Sequence, residues 1–161
     1  MSQSLIPPAQ TWGSDGLSVA SVQRISPSAL AYLGDAVYEL YVRQTFVFPP
    51  QKIQNYHKQV VSWVRAEAQA EQLTRLLVHL TGPELAVVKR GRNAAPQRLK
   101  RVDPEVYQNA TALETLFGYL HLTDPDRLMT LLKKYRGDRN TAIRNSCSHS
   151  IGSPLESDTP M

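Results

Sequence analysis

Two acidic side chains lie inside otherwise apolar helical segments of this chain. Asp35 stands in the middle of residues 28–42, where alanine, leucine, valine and tyrosine predominate. Glu114 is the single acid of residues 107–122. A carboxylate among apolar residues lowers stability unless a partner compensates its charge. A divalent metal ion shared by two carboxylates is one such partner, so the pattern predicts metal-dependent chemistry.

Helical spacing predicts that the two acids meet. At 100° per residue, Asp35 shares a side with Ala31, and the adjacent Gly34 lets another backbone approach closely. Glu114 shares a side with Gly118 in the same way. If the two helices pack, both carboxylates point into one seam, as in metal sites of helical bundles. The core stripes are predicted opposite Asp35 and flanking Glu114, at Leu30, Leu33, Val37, Leu40, Leu113, Leu116, Phe117 and Leu120.

Each acid also has a purely structural explanation. Asp35 would be the N-cap of a helix that begins at Ala36, with Gly34 as the turn. Thr111 and Glu114 fit the Ser/Thr-x-x-Glu capping box, in which the glutamate only bonds a backbone N–H. The periodic apolar residues begin before both acids, and this favours positions inside helices.

The elements that position the acids are all predicted as helices, about five or six in an all-α fold. No run of alternating apolar and polar residues indicates a sheet. Residues 51–80 are predicted as one helix or two, and a short helix follows to about Arg90. Helix starts and stops are predicted at Ser26-Pro27, Phe48-Pro49-Pro50, Thr81-Gly82-Pro83-Glu84, Asp103-Pro104, Thr123-Asp124-Pro125 and Gly137.

The composition indicates one soluble, cytoplasmic domain. The 161 residues suffice for one core, predicted over residues 24–137, with mobile tails at 1–23 and 138–161. The single cysteine, Cys147, excludes an internal disulfide framework and fits a reducing compartment. We expect no secretory signal and no membrane association, because no segment approaches the roughly 20 apolar residues that span a bilayer.

The formal net charge of the chain is +4, and six of its cations lie close together in one cationic block. It is predicted as a loop over residues 91–103 and the helix end before it. The block is either a solvated charged face or a phosphate-binding patch, because Lys and Arg supply most nucleic-acid affinity. Its cations are Lys89, Arg90, Arg92, Arg98, Lys100 and Arg101.

Four segments resemble the ribonuclease III family. Residues 30–37, Leu-Ala-Tyr-Leu-Gly-Asp-Ala-Val, resemble its signature helix, usually Leu-Glu-Phe-Leu-Gly-Asp. Residues 112–118, Ala-Leu-Glu-Thr-Leu-Phe-Gly, resemble its second acidic motif, usually Val-Glu-Ala-Leu-Ile-Gly. Residues 62–70 and 88–94 also match the family pattern. The chain is most similar to the Mini-III subfamily, which consists of the nuclease domain without a double-stranded-RNA-binding domain.

The resemblance implies a metal-dependent endoribonuclease with the ribonuclease III helical fold. Asp35 and Glu114 would be the catalytic residues and would hold Mg²⁺. The substrate would be double-stranded RNA, a stem of the large-subunit (23S) ribosomal RNA precursor, cut to leave 5′-phosphate and 3′-hydroxyl ends. Arg92 and Asn93 match the subfamily pattern and are the first candidates for backbone contacts. Further RNA-binding candidates are Lys89, Arg90, Arg98, Lys100 and Arg101.

The site departs from ribonuclease III proper at three positions. That enzyme carries further acids where this chain has Ser28, Ala31 and Thr111, and Mini-III proteins also lack them. Mg²⁺ tolerates a sparse site, because it keeps several waters and needs only one or two carboxylates. Glu39, one turn after Asp35, is a candidate helper.

The resemblance also implies a homodimer whose two sites cut opposite strands of a duplex. The tyrosine-rich face around Tyr32 and Tyr41 is expected at the dimer axis, and a large-subunit ribosomal protein that presents the substrate is a candidate partner. A different function stays open beside the nuclease. A non-catalytic helical RNA-binding module could derive from the same domain by loss of acids, and three acids are absent here.

Overall fold

The computed structural model describes residues 18–95 and 103–135, and these form seven α-helices without a strand. The all-α class is therefore confirmed, with more helices than the five or six predicted. A 3₁₀ turn, Leu77–His79, follows the fourth helix. The helices are α1 (Val19–Gln23), α2 (Pro27–Phe46), α3 (Ile53–Val64), α4 (Ala66–Leu76), α5 (Gly82–Ala94), α6 (Pro104–Thr123) and α7 (residues 125–135).

Helix α6 is the centre of the fold, and α2, α4 and α5 pack around it. The apolar side chains of its predicted stripe are almost completely buried, as expected: Leu113, Leu116, Phe117 and Leu120. Leu128, Leu131 and Leu132 of α7 enter the same core. Within the described residues, no helix combines the length and the apolar character needed to cross a membrane.

Helix starts agree with the capping signals in the sequence. Ser26 is the N-cap of α2, and its Oγ accepts a hydrogen bond of 3.2 Å from the backbone N–H of Ala29. Asp103 is the N-cap of α6, where its carboxylate accepts from the N–H of Glu105 at 2.8 Å. At α5, Thr81 and Glu84 form a complete capping box.

The rotation of α2 about its axis differs from the prediction. Leu30 and Val37 are buried as expected, but Leu40 is 45% exposed. Tyr38 and Tyr41 are buried in its place. The cause is that α2 turns Gly34 toward α6, so the buried face extends past the predicted stripe and leaves Leu40 outside it.

The folded part begins before residue 24, where the sequence placed its start. The short helix α1 lies within the predicted N-terminal tail, and its Val22 is completely buried. The guanidinium of Arg90 on α5 donates to the carbonyl oxygens of Gln23 and Ile25, both at 3.2 Å. These contacts attach the end of α1 to the body of the domain.

The structure decides one boundary that the sequence left open and changes another. Residues 51–80, predicted as one helix or two, divide into α3 and α4 at Arg65, whose backbone is extended. Helix α5 continues to Ala94 instead of ending near Arg90, so the predicted loop at 91–103 is wrong for its first four residues. Residues 96–102 and Gly137 lie outside the described residues.

Candidate metal-binding site

Helices α2 and α6 are in direct backbone contact at two glycines. A Cβ atom on Gly34 would overlap the carbonyl oxygen of Glu114 and lie 2.7 Å from the backbone nitrogen of Gly118. A Cβ atom on Gly118 would overlap the carbonyl oxygen of Leu30. Only glycine fits at either place, and the close approach brings Asp35, next to Gly34, to the same seam as Glu114.

Asp35 and Glu114 line one cavity of about 250 Å³. The structure thus brings together the two acids that the sequence paired. The same cavity is lined by the three positions at which ribonuclease III proper carries further acids, here Ser28, Ala31 and Thr111. Its wall there therefore consists of small, uncharged side chains. The other lining residues are Tyr32, Ala94 and Tyr107.

Neither structural explanation for the two acids agrees with the structure. The N-caps of α2 and α6 are Ser26 and Asp103, so Asp35 and Glu114 both lie well inside their helices. In particular, Thr111 is buried within α6 and does not begin it. The carboxylates are therefore available to the cavity.

Burial and a neighbouring acid disfavour the charged form of each carboxylate. Burial, followed by the nearby charge of Asp35, raises the pKa of Glu114 to about 7, and the Gln69 side chain acts against this rise by hydrogen bonding. Burial and then the charge of Glu39 raise the pKa of Asp35. A cation between the two carboxylates would offset both effects.

The donor set fits a hard, well-hydrated cation. Within residues 18–95 and 103–135, no three His, Cys, Asp or Glu side chains gather into a metal cluster. Two carboxylates beside a cavity with room for water suit Mg²⁺, which keeps most of its water ligands. Glu39, the candidate helper, is bound to Arg43 through an ion pair of 2.6 Å.

The cationic block divides into residues with different surroundings. Lys89 and Asn93 are exposed on α5. Arg92 forms an exposed ion pair of 3.2 Å with Glu105, whereas Arg90 is bound to α1. Arg98, Lys100 and Arg101 lie outside the described residues, as does Cys147.

A close contact holds α5 beside the cavity. A Cβ atom on Gly91 would lie 2.7 Å from the Cβ of Thr115 on α6. The last turn of α5 thereby reaches the cavity, where Ala94 forms part of the wall. The exposed Arg92 and Asn93 of this turn are therefore sequence neighbours of a residue that lines the cavity of the two acids.

Sequence reasoning missed Gln69 and misplaced Tyr41. The side chain of Gln69 on α4 is buried against Glu114, and the available signal was a glutamine on the inward side of an amphipathic helix. Tyr41 belongs to the core of the single chain, whereas Tyr32 is 86% exposed. The expected tyrosine-rich surface therefore retains Tyr32 alone of the pair.

Comparison with known families shows to which family this fold and site belong. The model of the ribonuclease III domain matches residues 28–125. The chain belongs to the ribonuclease III family. That match includes Asp35, Glu114 and the two glycines of the helix contact.

Relatives of similar length support the same family. A Mini-ribonuclease 3 of Synechocystis is 58% identical over 70% of this chain and 78% of the relative. A Mini-ribonuclease 3 of Synechococcus is 52% identical over 76% of this chain and 88% of the relative. A crystal structure of a Fusobacterium nucleatum protein superposes with a TM-score of 0.64 at 25% identity, covering 68% of this chain and 91% of that one. This ribonuclease III family member thus resembles the Mini-III branch over most of its length.

Proposed function

We propose that the protein is an endoribonuclease that hydrolyses phosphodiesters of double-stranded RNA with Mg²⁺ held by Asp35 and Glu114. The observation that carries this proposal is the meeting of both acids in one cavity at the α2–α6 glycine contact. Family membership supports it, because the ribonuclease III domain model matches residues 28–125, a range that includes both acids.

The surroundings of the two carboxylates suit this role. When bound, a divalent cation supplies stabilisation of the negative charge that develops on the phosphate oxygens. Glu114 is half-buried, so it holds charge in a less polar environment where an electrostatic contact is stronger. Asp35 is exposed, so it is accessible to an RNA backbone. The reaction would leave 5′-phosphate and 3′-hydroxyl ends.

The exposed end of α5 is the proposed RNA contact. Ala94 lines the cavity, and just before it in the sequence lie the exposed side chains of Lys89, Arg92 and Asn93. A-form RNA offers proteins its phosphates and 2′-hydroxyls, which such side chains bind without reading sequence. We include Arg98, Lys100 and Arg101, which follow in the sequence. Arg90 contributes mainly by fixing α1 to α5.

The outer face of α2 is the proposed dimer surface. Tyr32 and Leu40 are large apolar side chains that are exposed on the same helix, and exposed apolar side chains that lie together mark interaction sites. Tyr32 also lines the cavity, so a second copy on this face would lie close to the site. Two sites would then cut the two strands of a duplex.

The resemblance to the Mini-III subfamily suggests the biological setting. Three relatives are Mini-ribonuclease 3 proteins. We propose a cytoplasmic role in maturation of the large-subunit ribosomal RNA precursor, with a large-subunit ribosomal protein as the candidate that presents the stem.

A non-catalytic RNA-binding module is the second candidate. The observation that favours it is the neutral wall of the cavity at Ser28, Ala31 and Thr111, which leaves only two carboxylates for a metal.

Cleavage of plain RNA distinguishes the two candidates. A labelled duplex and its separate single strands are incubated with the full chain in Mg²⁺ or EDTA, and the product ends are mapped. We expect cleavage of the duplex in Mg²⁺ alone, with 5′-phosphate ends. Binding without cleavage, on the duplex and on structured ribosomal precursor RNA, would establish the binding module instead.

A further inference from the structure

A buried glutamine lies at the junction of α3 and α4, within the segment 62–70 that resembles the family pattern. Gln69 is 2% exposed. Its Nε2 donates to the carbonyl oxygen of Val64, the last residue of α3, at 2.9 Å. Because Arg65 is extended, that carbonyl has lost its place in the helical ladder and needs another donor. One side of the amide is therefore fixed to the backbone.

The same amide meets Glu114. Helix α4 packs on α6, and the Gln69 side chain lies close enough to the Glu114 carboxylate to lower the pKa of Glu114, against the effect of burial. The amide oxygen, Oε1, is buried and has no hydrogen-bond partner among the described residues. The Gln69 amide is thus bonded to a backbone carbonyl on one side and favours the charged form of the acid that lines the cavity on the other.

We propose that Gln69 is a positioning residue that holds the Glu114 carboxylate in the orientation in which it shares a divalent cation with Asp35. This inference rests on the proposed function. A site with only two carboxylates depends strongly on the orientation of each one. A neutral amide can fix Glu114 without neutralising it, whereas a cationic partner would compete with the metal. Such partners behind metal ligands typically contribute about 10–100-fold to metal affinity.

Gln72 provides a matched control on the same helix. It lies three residues after Gln69 and is completely buried. Neither Nε2 nor Oε1 of Gln72 has a hydrogen-bond partner among the described residues. Replacing either glutamine by leucine changes a buried amide into an apolar group of similar size with high helix propensity. Gln69→Leu therefore loses the contact with Glu114 and the hydrogen bond to the Val64 carbonyl, and Gln72→Leu loses neither, so the check of folding covers the loss of the Val64 bond.

The test is a direct titration of the full chain with Mn²⁺, in which electron paramagnetic resonance measures the concentration of the free ion. Wild type, Gln69→Leu, Gln72→Leu and Glu114→Gln are compared, and circular dichroism checks folding. We expect Gln69→Leu to raise the Kd for Mn²⁺ by about 10-fold or more, and Gln72→Leu to leave it within about twofold of wild type. Gln69→Met, which is unbranched, replaces Gln69→Leu if the leucine variant does not fold.

Cleavage kinetics provide the second readout. The Mg²⁺ concentration for half-maximal cleavage should rise with Gln69→Leu, and the rate should recover in excess Mg²⁺, because Asp35 and Glu114 remain. Equal Mn²⁺ affinity in wild type and Gln69→Leu would overturn the proposal, as would equal weakening in Gln72→Leu. If wild type binds Mn²⁺ through Glu114 but never cuts RNA, the proposed nuclease activity is refuted. The Mn²⁺ titration of Gln69→Leu then still decides whether Gln69 positions Glu114.

Discussion

Gly34 of α2 and Gly118 of α6 pack backbone against backbone, so closely that a Cβ atom on Gly34 would lie 2.7 Å from the nitrogen of Gly118. This contact determines how near the two helices come. Because Asp35 follows Gly34 directly and Glu114 lies one turn before Gly118, the same contact determines whether the two carboxylates share a cavity.

Substitution of Gly34 by alanine should damage both fold and site. The added methyl would meet the carbonyl oxygen of Glu114, and the helices would have to separate. We expect a loss of about 1–3 kcal/mol in the free energy of unfolding, as for other overpacked cores, measured by urea denaturation. Cleavage should fall further than the folded fraction does. Gly82→Ala is the control, because nothing lies within 4 Å of a Cβ atom there; an equal loss in that variant would contradict the argument.

The pKa of Glu114 predicts an unusual pH dependence of stability in the metal-free protein. Burial and Asp35 raise the pKa of Glu114 from 4.5 to about 7 in the folded state. The folded protein therefore holds a proton that the unfolded chain releases between these values, and stability falls as pH rises through that window. In EDTA at pH 8, Glu114→Gln should be more stable than wild type, by on the order of 2 kcal/mol. Thermal melts at pH 5 and pH 8 measure the difference, and a wild type that gains stability over this range relative to Glu114→Gln would contradict it.

A second carboxylate should show the opposite pH dependence. Glu84 is buried and accepts hydrogen bonds of 2.8 and 3.0 Å from Arg127, which also donates to the carbonyl of His79 at 2.7 Å. Arg127, against the effect of burial, lowers the pKa of Glu84 below its usual value of 4.5. Its contribution is therefore fully present above that value and is lost as pH falls through the lower, folded-state pKa.

Removal of Arg127 should measure this contribution. We expect Arg127→Met to cost about 1.5–3 kcal/mol at pH 7, because a buried carboxylate loses its charged donor. The loss of stability toward acid pH, which follows from the lowered pKa of Glu84, should also become smaller in this variant. Arg75→Met, which breaks the exposed pair with Glu71, is the control and should cost less than about 1 kcal/mol. Similar costs for the two variants would mean that the Glu84–Arg127 pair contributes no more to the free energy of unfolding than an exposed pair does.

The α5 contact predicts a salt-dependent loss of RNA affinity. Arg92→Ala removes one cation beside the cavity, and its exposed pair with Glu105 contributes little to stability. We expect weaker duplex binding and a fall of about one in the slope of log affinity against log salt, as for one lost phosphate contact. Filter binding in Ca²⁺ at several salt concentrations measures the slope. Lys58→Ala, an exposed cation on α3, should leave it unchanged, and an equal effect of both variants would favour a diffuse charge attraction.

The sequence predicted those features of the fold that depend on local chemistry. The starts of α2 and α6 follow from Ser26-Pro27 and Asp103-Pro104, because caps and prolines act on the nearest turn. The pairing of Asp35 with Glu114 followed from glycines beside both acids on helical faces. The resemblance to a family supplied the fold and the expected chemistry.

The remaining features depend on tertiary contacts that no local pattern contains. The short helix α1 exists because Val22 is buried and Arg90 binds the carbonyl of its last residue, Gln23. The exchange of Leu40 for Tyr41 in the core depends on how far α2 rotates toward α6. The contact between Gln69 and Glu114 requires the break at Arg65, which the periodicity of residues 51–80 left open.

The most direct test of the two-carboxylate site compares Asp35→Asn and Glu114→Gln with wild type on one RNA duplex, with cleavage in Mg²⁺ and binding in Ca²⁺ measured side by side. Both substitutions keep the shape of the side chain and remove its charge. We expect each variant to bind the duplex within a few-fold of wild type and to lose cleavage by about 10³-fold or more, the scale of several kcal/mol of lost transition-state stabilisation. Cleavage near the wild-type rate by either folded variant would contradict this expectation.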